Sequence, residues 1–382
     1  LLTACSDDGA SPGTEADASG DDTTADAGDT TADADDTTAD ADDTTADADD
    51  TTADAGDTTA DADDTTADAD DTTADADDTT ADAGDTTADT GAPIFGPPDP
   101  ACVGDLAPGT AVEFATGFET TEGAAFGPDG LLYVSGGGVI HRVAADGSHE
   151  PLAEVASALG LAPVADGLVA AQMGASTAPT VVDGGMARIA LDGTVTVLST
   201  TIPSGNAVLV TPTGSVLVSD DFAPHIYLVS PAGETVDLLT SVASPNGMAY
   251  SPDGTTFYVA STFTTRGEVT AFDVDGSGLP VDGTGREIAR LGNGSTPDGM
   301  AVDARGRVYV AANLQRRIAR IDPATGQTVN VVTGLSTPAS MAFGRGPGFD
   351  PCSIYVTSLS GPSVYRVVLD TPGAPVTYPT GG

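Results

Sequence analysis

The sequence predicts an all-β protein, a six-bladed β-propeller preceded by a long disordered acidic segment. Three observations carry this. One sequence frame recurs six times after residue 100. Its period of about 40 residues, rich in strands and turns, matches one four-stranded blade per repeat. The first hundred residues hold 32 of the 58 acidic residues and none of the basic ones.

The clearest copy of the frame is SPNGMAYSPDGTTFYVAS, residues 244–261, where Asn246 leads and Gly254 closes a turn eight positions on. Glu122, Leu159, Asn206, Asp298 and Ser340 lead the other copies, each with a Gly eight residues later. The last copy is degenerate and resumes at residues 354–358 after an insertion. Each copy reads as two short strands joined by a turn whose Gly supplies a positive φ. A second hairpin follows, as in VIHRVAADGSHEPL and RIARIDPATGQTVNVV, so each repeat supplies four strands.

Taken in order, residues 1–5 end in Leu2-Thr3-Ala4-Cys5, which fits the lipobox of a lipoprotein signal peptide with Cys5 as the lipidated residue. Ser6 after that Cys suits sorting to an outer membrane. Residues 6–100 are dominated by DTTADAD and DTTADAG units. Ala is their only apolar residue, so the seven-residue period offers no coiled-coil seam. High charge with few large hydrophobes predicts a disordered, solvated stalk, spanning roughly 55 Å as a random coil. Residues 101–382 are the propeller. Residues 112–116 read as a strand that closes the ring on the last blade. That closure brings Cys102 towards Cys352, and an exported protein permits their disulfide.

In a propeller the first strand of each blade lines the axis. The leading residues Glu122, Leu159, Asn206, Asn246, Asp298 and Ser340 therefore converge at one mouth. Two carboxylates there repel unless a cation neutralises them. Calcium takes oxygen donors of this kind, and the lack of Cys and His argues against zinc. Asn-Gly and Asp-Gly are also ordinary turn dipeptides, so a purely local role for each residue stays open.

EGAAFGPDG, SPNGMAYSPDG, TPDGMAVDARGRVYVA and FDVDGSGLPVDGTGREIARL resemble the senescence marker protein/gluconolactonase (regucalcin-like) family of calcium-dependent six-bladed propellers. The resemblance runs over residues 118–368. It implies a metal held by Glu122, Asn246 and Asp298; related fluorophosphatases and paraoxonases add an Asn that falls on Asn206. It also implies Asp298 as base or nucleophile in ester hydrolysis. The chain departs from the pattern at Ser204-Gly205-Asn206-Ala207, where gluconolactonases carry Arg-x-Asn-Asp to grip a sugar lactone. The paraoxonase His pair has no counterpart.

Other residues read as structural. His141 and His225 fall in second-hairpin strands, and His149 in a turn. Asp220 and Asp221 end a strand of the third blade, where satisfying local backbone is favoured over approaching the mouth. Arg266, in a loop of the fourth blade, is a candidate contact for an anionic substrate. The chain has no Lys, and residues 101–382 carry 26 acids against 12 Arg, which disfavours nucleic acid as a partner. There is no 18-residue apolar run, so membrane contact is expected only through the lipid anchor. The expected protein is an exported monomer, lipid-anchored to the bacterial cell envelope. It would hydrolyse a small lactone, ester or phosphoester with one Ca2+. The alternative is a non-catalytic, calcium-stabilised propeller that binds or scaffolds at the cell surface.

Overall fold

The computed structural model describes residues 94–376, apart from 103, 105 and 177–180, together with residue 378. Cys5, its lipobox and the Asp/Thr/Ala repeat up to residue 93 lie outside the described residues.

The described residues form six four-stranded antiparallel sheets. Blade 1 runs from β2 (Ala124–Phe126) through β3 (Leu132–Gly136) and β4 (Val139–Val143) to β5 (His149–Glu154). Blade 2 comprises β6 (Ala158–Val164), β7 (Gly167–Gln172), β8 (Gly184–Ala190) and β9 (Val195–Ile202). Blade 3 comprises β10 (Gly205–Val210), β11 (Val216–Asp220), β12 (Ile226–Val229) and β13 (Thr235–Leu239). Blade 4 comprises β14 (Pro245–Tyr250), β15 (Thr256–Ser261), β16 (Glu268–Asp273) and β17 (Arg286–Arg290). Blade 5 comprises β18 (Pro297–Val302), β19 (Val308–Ala312), β20 (Arg317–Ile321) and β21 (Thr328–Thr333). Blade 6 comprises β22 (Pro338–Phe343), β23 (Ser353–Ser358) and β24 (Ser363–Val368), and β1 (Ala111–Thr116) pairs with β24 as its fourth strand.

The innermost strands touch in the cyclic order β2, β6, β10, β14, β18, β22 and back to β2. A four-stranded sheet with two apolar faces must cover both. Here each gap between neighbouring blades is filled by its own apolar cluster. Tyr133, Ile140, Leu168 and Ile189 fill the gap between blades 1 and 2. Phe126, Leu132, Tyr355 and Val364 fill the one between blades 6 and 1. Burial falls towards the outermost strands, where Val195, Val197 and Val236 are exposed.

Closure depends on β1, and two further links secure it. Cys102 and Cys352 form a disulfide across a sequence separation of 250, with Cα atoms 5.3 Å apart. The Asp99 N–H donates to the Asp370 carbonyl at 2.9 Å.

The turn glycines follow the frame with one exception. Gly130, Gly214, Gly254, Gly306 and Gly348 have φ between 70° and 86°. Gly167 is not among the positive-φ glycines. It begins β7, and a Cβ there would lie 2.2 Å from the Ile189 carbonyl oxygen, so close approach rather than turn conformation requires it.

Candidate functional site: the acidic ring at one mouth

The leading residues stand together because of how each innermost strand begins. In β6, β10, β14, β18 and β22 the pairing register shifts across the leading position, between Pro245 and Met248 in β14 for example. Such bulges re-aim side chains. The residue after the leader must also be small. A Cβ on Gly123 would lie 2.2 Å from the Leu159 carbonyl oxygen, and one on Gly247 2.2 Å from that of Asp298. Glycine therefore lets neighbouring blades meet at the leaders themselves.

A second device sits one step earlier. Ser244, Thr296 and Thr337 each precede the Pro that starts β14, β18 and β22, and each has positive φ (45°, 41° and 31°). This conformation is costly for a β-branched residue, and such strain persists only where surrounding bonds enforce it. The same bonds recur. The Ser244 and Thr296 carbonyls accept the Thr262 and Asn313 N–H groups at 2.9 and 3.2 Å. Their hydroxyl oxygens accept the Phe263 and Leu314 N–H groups, both at 3.0 Å. The repeated Ser/Thr-Pro dipeptide was the available sequence signal.

Glu122, Asn206, Asn246 and Asp298 are all buried, between 2% and 8% exposed. Leu159 is half-buried. In blade 6 the pairs Pro338–Ser358 and Met341–Val356 repeat the pairs Pro297–Ala312 and Met300–Val310 of blade 5, so the buried Ala339, and not Ser340 as the sequence frame has it, holds the leading position. Asp221, read from sequence as a backbone cap, belongs to this ring instead. The Asn206 Nδ2 donates to its Oδ2 at 3.0 Å, and the Asn246 Nδ2 to its Oδ1 at 3.3 Å. Asp220 does the local work, its Oδ1 accepting the Phe222 and Ala223 N–H groups at 3.1 Å. The two side chains of this Asp-Asp pair leave the chain end in opposite directions, which sequence alone did not apportion. Asn313 was also missed; its Nδ2 donates to the Asp298 Oδ2 at 3.2 Å.

Three carboxylates thus share a buried space. Burial, then the charge of Asp221, pushes Glu122 up to about 8. Burial pushes Asp221 up to about 6, against the hydrogen bonds of Asn206, Thr262 and Asn246. Burial and the charges of Glu122 and Asp221 raise Asp298 well above the usual carboxylate range. The Glu122 Oε2 is buried with no hydrogen-bond partner. An all-oxygen donor set, two carboxamides and an orphaned carboxylate oxygen are what a hard divalent cation accepts. Among the described residues no three His, Cys, Asp or Glu side chains are clustered tightly enough to hold a metal by themselves. Any cation at the ring would therefore lean on Asn206 and Asn246 as well as the carboxylates.

The remaining candidates lie elsewhere. Arg266 pairs with Glu268 at 3.7 Å and Glu287 at 3.4 Å, so its charge is already matched within blade 4. Those two Glu line a cleft of about 390 Å3 that also includes Ser241, Thr270 and Phe272, and no ring residue. His149 begins β5 rather than sitting in a turn; it stacks on Phe118, with His141 edge-on to both. His225 precedes β12, 3.3 Å from Asp237. Ser204, in the place of the lactone-gripping Arg, is fully buried.

Part of the chain matches known proteins. Residues 218–360 match the family model described as the SMP-30/Gluconolactonase/LRE-like region. That stretch includes Asp221, Asn246, Asp298 and Asn313. Regucalcin of Gallus gallus is 32% identical over 137 residues, 35% of this chain and 44% of that protein. Gluconolactonase of Zymomonas mobilis is 29% identical over 92 residues, 23% of this chain and 26% of the other. The chain thus matches less than half the length of these relatives. Two solved structures share the fold. A gluconolactonase from Xanthomonas campestris superposes with a TM-score of 0.56 at 21% identity, over 72% of this chain and 99% of that one. A calcium-binding regucalcin from Agrobacterium tumefaciens gives 0.56 at 20% identity, over 70% and 95%.

Proposed function

We propose that this propeller is a calcium-dependent hydrolase of a small lactone, ester or phosphoester, with its reaction centre at the acidic ring. The observation that carries the reading is the orphaned, buried Glu122 Oε2 among carboxylates that raise one another's pKa. The partial matches to regucalcins and gluconolactonases point the same way. Glu122, Asn206, Asn246 and Asp298 would hold the cation, whose charge would polarise the carbonyl or phosphoryl oxygen of the substrate.

The chain's own groups then have separate tasks. Asp221 takes an N–H from each of Asn206 and Asn246, which fixes both carboxamides and reserves their carbonyl oxygens for the centre. Asn313 occupies the Asp298 Oδ2. Asp298, held by Asn313, is the group that would take a proton from the attacking water. In lactone hydrolysis the water oxygen joins the acyl carbon, the ring C–O bond breaks, and the proton passes to the departing alkoxide. The product is a hydroxy acid. Cys5 as a lipid anchor belongs to the same proposal, and mass spectrometry of the membrane-extracted protein tests it.

The test of the hydrolase reading uses the full chain and its Asp298→Asn variant. Calcium titration, melting temperature and a lactone and aryl-ester screen are measured together. The acidic repeat binds calcium only diffusely on this reading, so a tight single site should vanish in the variant. Expected are one tight calcium and turnover in the native protein, and a folded, inactive variant. Tight calcium with no turnover of any ester would favour a binding or scaffold propeller. Absence of a tight site would remove the metal from the reading.

A further inference from the structure

The mouth that holds the ring has a second feature. In blades 3, 4 and 5 the second strand is followed by a dipeptide of one pattern: Asp221-Phe222, Thr262-Phe263 and Asn313-Leu314. The three hold equivalent positions. The first residue of each donates its N–H to the carbonyl just before the blade's innermost strand: Ser204, Ser244 and Thr296. That first residue is buried and polar and serves the ring. Asp221 clamps the two Asn, Asn313 holds Asp298, and the Thr262 Oγ1 donates to the Pro297 carbonyl at 2.6 Å. The second residue is apolar in all three cases. Phe263 is 55% exposed and Leu314 54%. Phe222 is half-buried and stacks on Phe263, with ring centroids 5.5 Å apart.

Blade 6 adds to the same side. Leu359 takes the first position there, its N–H bonded to the Thr337 carbonyl, and it is 45% exposed. Met173, bonded to the Ser157 carbonyl, takes that position in blade 2. Single exposed apolar residues need no explanation. These share one mouth and one register, and two are pinned by the Ser244 and Thr296 hydroxyls. A polyhydroxylated substrate arm would need hydrogen-bond partners where this rim offers hydrocarbon.

We infer that the mouth takes a lactone or ester carrying an apolar arm, alkyl or aryl, laid across Phe222, Phe263 and Leu314 while its acyl group faces the ring. This rests on the hydrolase reading for the reaction, but the apolar arm can be tested without turnover. Burial of one methylene is worth about 0.8 kcal/mol, roughly fourfold in affinity, so a partly covered hexyl chain should give at least tenfold.

The experiment pairs binding with hydrolysis, using the full chain in calcium buffer. Binding compares 3-hexylcyclopentanone, an unhydrolysable analogue of γ-decalactone, with cyclopentanone. Hydrolysis compares γ-decalactone, γ-butyrolactone and gluconolactone. The same ratios are measured for Phe263→Ser/Leu314→Ser, two exposed positions, with its melting temperature as the folding control. The expected result is a preference of at least tenfold for the hexyl ketone, and likewise for γ-decalactone, with both ratios falling towards one in the double variant. Hydrolysis without chain-length preference, or a preference that survives in the folded variant, overturns the inference and leaves the hydrolase reading intact. Rim-dependent binding of the hexyl ketone with no lactone hydrolysed supports the apolar arm and removes the hydrolase reading. Neither binding nor hydrolysis overturns both.

Discussion

Strand β18 has a buried aspartate at each end, and the two live in opposite electrostatic conditions. At the ring end, Asp298 shares its space with Glu122 and Asp221, and its hydrogen-bond donors are neutral. At the other end, Asp303 and Asp370, both fully buried, share Arg307. The Arg307 Nε donates to the Asp303 Oδ2 at 2.6 Å and its Nη2 to the Asp370 Oδ1 at 2.6 Å. Burial pushes Asp370 upward too, but the hydrogen bonds and charge of Arg307 more than offset it and hold it below the usual carboxylate range. Two aspartates shielded from solvent thus shift in opposite directions: Asp298 is the more deeply enclosed and sits among acids, whereas Asp370 faces a cation. The Arg307 cluster contains its own cation; among the described residues no Arg side chain is hydrogen-bonded or ion-paired to the three ring carboxylates.

The most severe test of this contrast is Arg307→Met. It takes the paired guanidinium from Asp303 and leaves Asp370 with the more distant Arg305 at 3.6 Å, and breaking a buried pair in this way costs about 3–5 kcal/mol. Denaturant unfolding should show that loss at neutral pH; a change below about 1 kcal/mol would mean the two ends are not electrostatically different.

A smaller effect comes from pH in cation-free protein. Glu122 rises from its ordinary 4.5 to about 8 on folding, and Asp221 from 3.8 to about 6. Raised carboxylate values mean the folded state holds protons that the unfolded chain has released. The contribution is therefore full below the unfolded values and is lost as pH climbs through 6 and 8. The melting temperature in chelator should fall over that interval, and calcium should suppress the fall. A melting temperature that rises from pH 5 to 8 in chelator would reverse the assignment.

The mildest effect is expected at Asp298→Asn in chelator. Removing an acid that folding must protonate at neutral pH should leave stability unchanged or raise it by about 1 kcal/mol, opposite in sign to Arg307→Met. Calcium should then no longer shift the melting temperature. Destabilisation in chelator would show that Asp298 is already compensated within the chain.

Much of this was legible from short-range patterns. Six copies with a Gly eight residues after each leader marked six blades, and the odd strand read at residues 112–116 is the one that closes the ring, as Ala111–Thr116. The phase of the repeat put Glu122, Asn206, Asn246 and Asp298 on one circle. Each signal is local: strand periodicity, turn chemistry and a fixed offset that the fold repeats. The roles of Asp221 and Arg266 were not legible in the same way. Asp220 and Asp221 are chemically identical neighbours, and only the end of β11 decides which turns to the ring. Arg266 reads as an available cation until β16 and β17 bring Glu268 and Glu287 to it. The Arg307 cluster joins positions 303 and 370, which no repeat relates.

The sequence by itself therefore determined the number of blades, their order and the leading residue of every blade but the sixth, because those follow from backbone geometry repeated along the chain. Only the tertiary structure decided which charges meet and which of them find a partner. Coulomb energy and desolvation depend on distances between blades and on the water those blades exclude, and neither is written in any one repeat.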